Sequence, residues 1–262
     1  DYNASTGFET TSYRMEIPTD DISKIEKGIH ILSEMLGSAS LEDSAFEKER
    51  KIVEEEWRSG LGKSKRLFKD YKKYLYKNSK FIEREPIGDM EIIRNFSYDV
   101  AKRFYNDWYR PDLMGIIAVG DFDPVYIESI IAKYFNRLEN KSNRPSPDTL
   151  LPKYNDSLFL NQFDKEQTNI LFTIRNKSKK LPKDTLKNAR TDIIHNLIIA
   201  IVNSRFVELN DKGSLDFDLA LLDKFSLTSK SNAFLIAGLL KEDKINKGLE
   251  SILAELERIK QN

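Results

Sequence analysis

The stretch SYDVAKRFYNDWYRPDLMGIIAVGDFDPVYIESIIAKYFNRL, Ser97 to Leu138, decides the fold class. Ser97 suits the N-cap of a helix over SYDVAKRFYNDWY, and LMGIIAV reads as a short buried strand. Gly120 then turns the chain into DPVYIESIIAKYFNRL, where Pro124 takes the first helical position. Helix, strand and helix succeed one another with short connections, so the two kinds of element are interleaved.

The same alphabet continues on both sides. Upstream, GFETTSYRMEI alternates apolar and polar residues at Thr11, Tyr13, Met15 and Ile17, which predicts a half-buried strand. DISKIEKGIHILSEMLG carries Ile22, Ile25, Ile29, Leu32 and Leu36 on one helical stripe, with Asp20 or Asp21 as N-cap and Gly37 as C-cap. Ser44 and Glu47 have the spacing of a capping box, starting a helix through FEKERKIVEEEW to about Gly60. RLFKDYKKYLYKN is a further helix with Leu67, Tyr71, Tyr74 and Leu75 on one face.

Downstream, Asn140 to Asp156 loses periodicity and gathers Pro145, Pro147 and Pro152, the mark of a linker. Beyond it come strands at SLFLNQF and NILFTIR, a long helix through ARTDIIHNLIIAIVNSRFVEL, strands at ALLDKFSLT and NAFLIAGLL, and a last helix in KINKGLESILAELERIK. Several strands are joined too closely for a crossover helix, so they pair antiparallel. The expected fold is α+β: two related domains, residues 1–140 and 157–262, each a mainly antiparallel sheet with helices on one face, joined by a linker at 141–156. Both ends look cut, as though a longer polypeptide continued in each direction.

Composition narrows the chemistry. The 262 residues hold 42 basic and 42 acidic side chains, so no global field points to nucleic acid or an anionic membrane. The basic, tyrosine-rich stretch from Lys63 to Lys80 reads as a solvated helix with its tyrosines on the packing side. There is no cysteine, so any metal must take histidine, carboxylate or water, and a bacterial periplasm and cytoplasm fit equally well. The most apolar runs, LIIAIV and AFLIAGLL, suit a buried helix and a buried strand and fall short of a membrane span.

One helix poses a problem. In FEKERKIVEEEW, Phe46, Glu49, Val53 and Glu56 share a stripe, so the spacing places two glutamates on the face expected to be buried. Buried carboxylates are costly unless something cationic faces them, and either arginines or a metal ion would serve. His30, beside an apolar stripe, and His195, within an apolar helix, read as packing histidines rather than ligands.

ERKIVEEE, the opening NAST followed by Thr11 and Tyr13, and PIGDMEIIRNFSYDVAKRFYNDWYRPDLMGIIAVGDFDP together resemble the pitrilysin/insulinase family of zinc metallopeptidases. The last run carries the most specific match, at Gly88, Glu91, Ile92, Phe104, Tyr105, Trp108, Tyr109, Pro111, Met114, Val119, Gly120, Asp121 and Phe122. EQTNILFTI and SRFVEL resemble the family's following non-catalytic domain more faintly.

The resemblance implies that Glu56 is the third protein ligand of a zinc ion and that Glu49 supports the site from behind it. It implies that Asn3 and Ala4 lie on a strand with which a peptide substrate pairs as an added strand. Family members take two more ligands and a general-base glutamate from a His-x-x-Glu-His helix. Here His30 and His195 are the only histidines and neither belongs to such a motif, so that helix is expected upstream of Asp1. Zinc is accordingly expected in a full-length parent and not in this chain, which alone should be inactive.

The implied parent is a metalloendopeptidase that encloses peptides or small unfolded polypeptides in a chamber. Its partner is the second half of the same polypeptide or a homologous subunit. Two alternatives stand beside it: a non-catalytic scaffold or partner subunit of the same family, and a general peptide-binding module.

Overall fold

A computed structural model describes residues 1–153, 157–182, 184–212 and 216–261. The chain divides into two compact units, Asp1–Gly60 with Glu83–Pro147, and Leu61–Ile82 with Asp148–Asn262. The architecture is α+β, as the interleaved periodicities predict, and every strand pair is antiparallel.

The first unit begins with β1 (Tyr2–Thr6) and β2 (Thr11–Met15), paired as a two-stranded hairpin. The single strand expected from Gly7 to Ile17 is therefore the turn and second arm of this hairpin, with the Gly7 amide donating to Thr10 O at 2.8 Å. Helix α1 (Ile22–Gly37) is capped by Asp21, whose carboxylate accepts from the Ser23 amide. Its buried stripe, Ile25 and Ile29, packs on Ile127 and Ile130 of α6 (Pro124–Phe135), with Ile17 and Phe122 closing the cluster.

Between them lie α2 (Asp43–Ser59), α4 (Met90–Asn95) and α5 (Tyr98–Trp108). Helix α2 starts at Glu42 without a side-chain cap, so the Ser44–Glu47 box does not form and Ser44 sits inside the first turn. The expected strand LMGIIAV is absent. After a 3₁₀ turn at Pro111–Leu113 the chain carries no strand pairing, and Ile117 and Val119 are 89% and 90% exposed. A strand is made by its partner, and no described segment pairs with this one.

The second unit includes α3 (Lys63–Leu75), although its sequence falls within the 1–140 span. Its sheet has the order β3-β5-β4, with β3 (Ile170–Lys179) and β4 (Phe217–Thr228) both antiparallel to the central β5 (Ser231–Leu240). Helices α7 (Leu186–Asp211) and α8 (Ile245–Gln261) contribute Val202, Phe206 and Ile252 to one core with Phe217, Ala220 and Leu240. The Asn203 side chain brackets the edge of β4, donating to Leu222 O and accepting from the Leu222 amide.

Helix α7 is apolar on more than one side, and only Val202 and Phe206 are buried, while Leu197, Ile198 and Ile201 are exposed. SLFLNQF is likewise not a strand, and Phe159 and Phe163 are exposed. Residues 141–153 of the expected linker hold neither helix nor strand, and its last three residues, 154–156, lie outside the described residues.

Candidate functional site

The hairpin carries Asn3 and Ala4 on β1, an exposed strand with one unpaired edge. Its phase fixes what that edge presents. Asp1 and Glu16 exchange backbone hydrogen bonds, and Gly7 bonds Thr10, so Asn3 and Ser5 point their backbone groups toward β2. Tyr2, Ala4 and Thr6 then offer theirs outward, where an extended peptide would find them. The outward Ala4 amide donates to the side chain of Asn3, at 2.8 Å from Oδ1.

A two-stranded hairpin is marginal on its own, so its anchors matter. One anchor is at α1, where Gly28 leaves room for Met15 and Ile17, and a Cβ there would run into the Ile17 side chain. The other is polar. Tyr13, directly across from Ala4, meets Tyr109 hydroxyl to hydroxyl at 2.7 Å. Tyr109 stacks on Tyr105, ring centroids 4.6 Å apart. The Tyr105 hydroxyl donates to Met35 O at 2.9 Å and accepts from the Ala39 amide at 3.2 Å. Burial first, and then the bond to Tyr109, push the Tyr13 phenol well above its ordinary range.

Helix α2 overturns one part of the sequence reading. Glu49 and Glu56 are exposed, and the half-buried arc runs instead through Phe46, Arg50, Val53, Glu54 and Trp57. Phe46 lies against Phe96 and Tyr98, while the Arg50 guanidinium sits 4.4 Å from the Phe96 ring centroid and donates to Ile93 O and Phe96 O. The arc is centred about a quarter of a turn away from the two glutamates, which occupy its flank. The cost of burying their charge therefore does not arise, and no cation is required to offset it.

What distinguishes the pair is the company of its neighbours. Asp43 binds Lys102, Glu47 binds Tyr98 and Arg50, Glu54 binds Arg94, and Glu55 binds Arg58. Among the described residues Glu49 and Glu56 are the acidic side chains of α2 without such a partner. They lie two turns apart on the same flank, both open to solvent.

Neither histidine joins them. His30 stacks on Tyr134, with Nε2 3.4 Å from Glu34, and His195 lies with Nδ1 3.2 Å from Lys224 Nζ and edge-on to Phe234. Among the described residues no cluster of three or more histidine, aspartate or glutamate side chains is placed to hold a metal. These residues do not by themselves fit a zinc ion, since structural and catalytic sites need three or four protein donors. Glu56 can supply one carboxylate.

Sequence reasoning missed the Tyr13–Tyr109 contact, whose partners are 96 positions apart, and no local signal announces it. It also missed Arg50, a polar residue doing the packing work of an apolar one.

Two family models match. One, described as Insulinase (Peptidase family M16), covers residues 1–79, and the other, described as Peptidase M16 inactive domain, covers residues 95–262. The probable zinc protease PqqL of Haemophilus influenzae is 25% identical over 265 residues, which is 100% of this chain and 28% of that protein. The crystal structure of the periplasmic protease PqqL from Escherichia coli superposes with a TM-score of 0.86 at 23% identity, over 98% of this chain and 28% of that one. The ferredoxin protease FusC, in complex with Arabidopsis ferredoxin, gives a TM-score of 0.77 at 25% identity, over 100% of this chain and 29% of that one. The chain therefore spans less than a third of the length of these relatives.

Proposed function

The chain belongs to the insulinase family of peptidases, M16, and from that premise we propose that it forms part of a zinc-dependent metalloendopeptidase. In this reading Glu56 is a zinc ligand and Glu49 supports it from behind. An extended peptide meets β1 at Asn3 and Ala4, the backbone of Ala4 facing it and the side chain of Asn3 lying beside the Ala4 amide. The observation that carries the reading is the unpartnered state of Glu49 and Glu56 on a helix whose other acidic side chains are all engaged. A bound dication would turn two open carboxylates on one flank into a favourable arrangement.

The remaining zinc donors and the general base lie outside the described residues, so no catalytic step is assigned to this chain and it is inactive alone. Zinc in such a site would polarise the scissile carbonyl and activate water. The rest of the polypeptide, or a homologous subunit, would enclose peptides or small unfolded polypeptides in a chamber. The periplasm, where the Escherichia coli protein of like fold resides, is the compartment proposed. Among the described residues no helix is long and apolar enough to cross a membrane.

The test is cleavage of a fluorogenic peptide library by the whole encoded protein, with and without a zinc chelator. Cleavage that is lost on chelation and restored by zinc supports the reading. Peptide binding without any cleavage would favour the scaffold or peptide-binding alternative instead.

A further inference from the structure

We propose that Tyr109, acting through the hydroxyl of Tyr13, is a positioning residue that sets the substrate-pairing edge of β1; this rests on the peptide-edge reading above. Three relationships carry it. Tyr13 is the direct cross-strand neighbour of Ala4, in a pair whose backbone groups face away from one another, so Ala4 turns its carbonyl toward an incoming strand together with an amide that Asn3 Oδ1 holds and would have to release. Tyr13 is the β2 side chain whose hydroxyl meets α5's C-terminal end, at Tyr109, 2.7 Å away.

Third, Tyr109 is itself held, because its ring stacks on Tyr105, and Tyr105 is buried and bonded at its hydroxyl to Met35 O and the Ala39 amide. The order of support thus runs from the last turn of α1 and the backbone just after it, through Tyr105 and Tyr109, to Tyr13 and across to Ala4. A hairpin this short has little stability of its own, so the tether decides how often it is in register to receive a strand. Strand addition demands register, since a one-residue slip reverses which groups face outward. Tyr109 touches no substrate in this account, and its effect is transmitted.

Amide exchange of this chain provides the first reading, at the inward amides of Asn3, Ser5, Ser12 and Arg14. Tyr109→Phe keeps the stacked ring and removes the hydroxyl contact, and it should accelerate their exchange about fivefold, the scale of one hydrogen bond. Tyr13→Phe should do the same, and the double substitution no more than either single one. Tyr98→Phe, which removes a hydroxyl contact to Glu47 elsewhere in the unit, should leave these amides unchanged.

In the whole encoded protein, Tyr109→Phe should raise KM for a peptide substrate about fivefold while kcat changes less than about twofold. Unchanged exchange in both single variants would overturn the tether, whatever the kinetics. Faster exchange with KM unchanged would overturn the substrate-positioning role and the edge-strand reading with it. A whole protein that cleaves no peptide would overturn the proposed function itself, an outcome that the exchange rates of this chain do not mimic.

Discussion

Arg66 and Asp164 close a two-pronged ion pair, Nε to Oδ2 at 2.7 Å and Nη2 to Oδ1 at 2.8 Å, which fastens α3 to the loop before β3. The Glu166 amide donates to the same carboxylate at 3.0 Å. Together, with Arg66 the larger influence, they hold the Asp164 carboxyl down to about 2. A carboxyl lowered by folding stabilises the folded state above its ordinary value near 4, and that contribution is lost as pH falls from about 4 toward 2. Asp164→Asn should therefore lower the melting temperature by a few degrees at pH 7, and the gap from the unaltered chain should close near pH 2. Thermal scans at both pH values check this, and a gap independent of pH would contradict it.

Ile252 is fully buried where α8 meets β5, against a glycine, Gly238, whose missing Cβ makes room for it. Ile252→Ala leaves a cavity that the sheet backbone is poorly able to collapse into, and should cost about 3 kcal/mol in urea unfolding. A loss below about 1 kcal/mol would mean that the core is looser than described.

At Gly28 two effects oppose one another. Alanine in a helix interior is worth about 1 kcal/mol over glycine, but here its Cβ would run into Ile17. The collision should win, with Gly28→Ala destabilising the chain by about 1–2 kcal/mol and speeding exchange in the hairpin. Stabilisation instead would show that Ile17 has room to move.

Ile117 and Val119 are almost fully exposed, so Ile117→Thr and Val119→Thr should each change the stability of this chain by less than about 0.5 kcal/mol. A buried strand at this position would lose a few kcal/mol.

These cases show what the sequence could and could not disclose. Period carried the secondary structure well: the stripe at Ile25 and Ile29, the cap at Asp21, Pro124 at the first position of its helix, and strands over NILFTIR, ALLDKFSLT and NAFLIAGLL all appear where local spacing places them. LMGIIAV and SLFLNQF have strand composition, yet a strand also needs a neighbour, and composition is silent about neighbours. On α2 the stripe through Phe46 and Val53 was legible, but Arg50 and Trp57 shift the half-buried arc away from Glu49 and Glu56, because a guanidinium on Phe96 packs like an apolar group. The family resemblance does not depend on burial of the glutamates, because it is carried by the residue identities of ERKIVEEE, the opening NAST and, most specifically, the long run from Pro86 to Pro124.

Zinc content of the whole encoded protein, compared with its Glu56→Gln variant, bears most directly on the account. Glu56→Gln should lose stoichiometric zinc after dialysis, and Glu49→Gln should keep it with affinity weakened about 10- to 100-fold. Glu56→Gln protein that retains zinc at the stoichiometry and affinity of the unaltered protein would remove Glu56 from the coordination sphere and contradict the site proposed for α2.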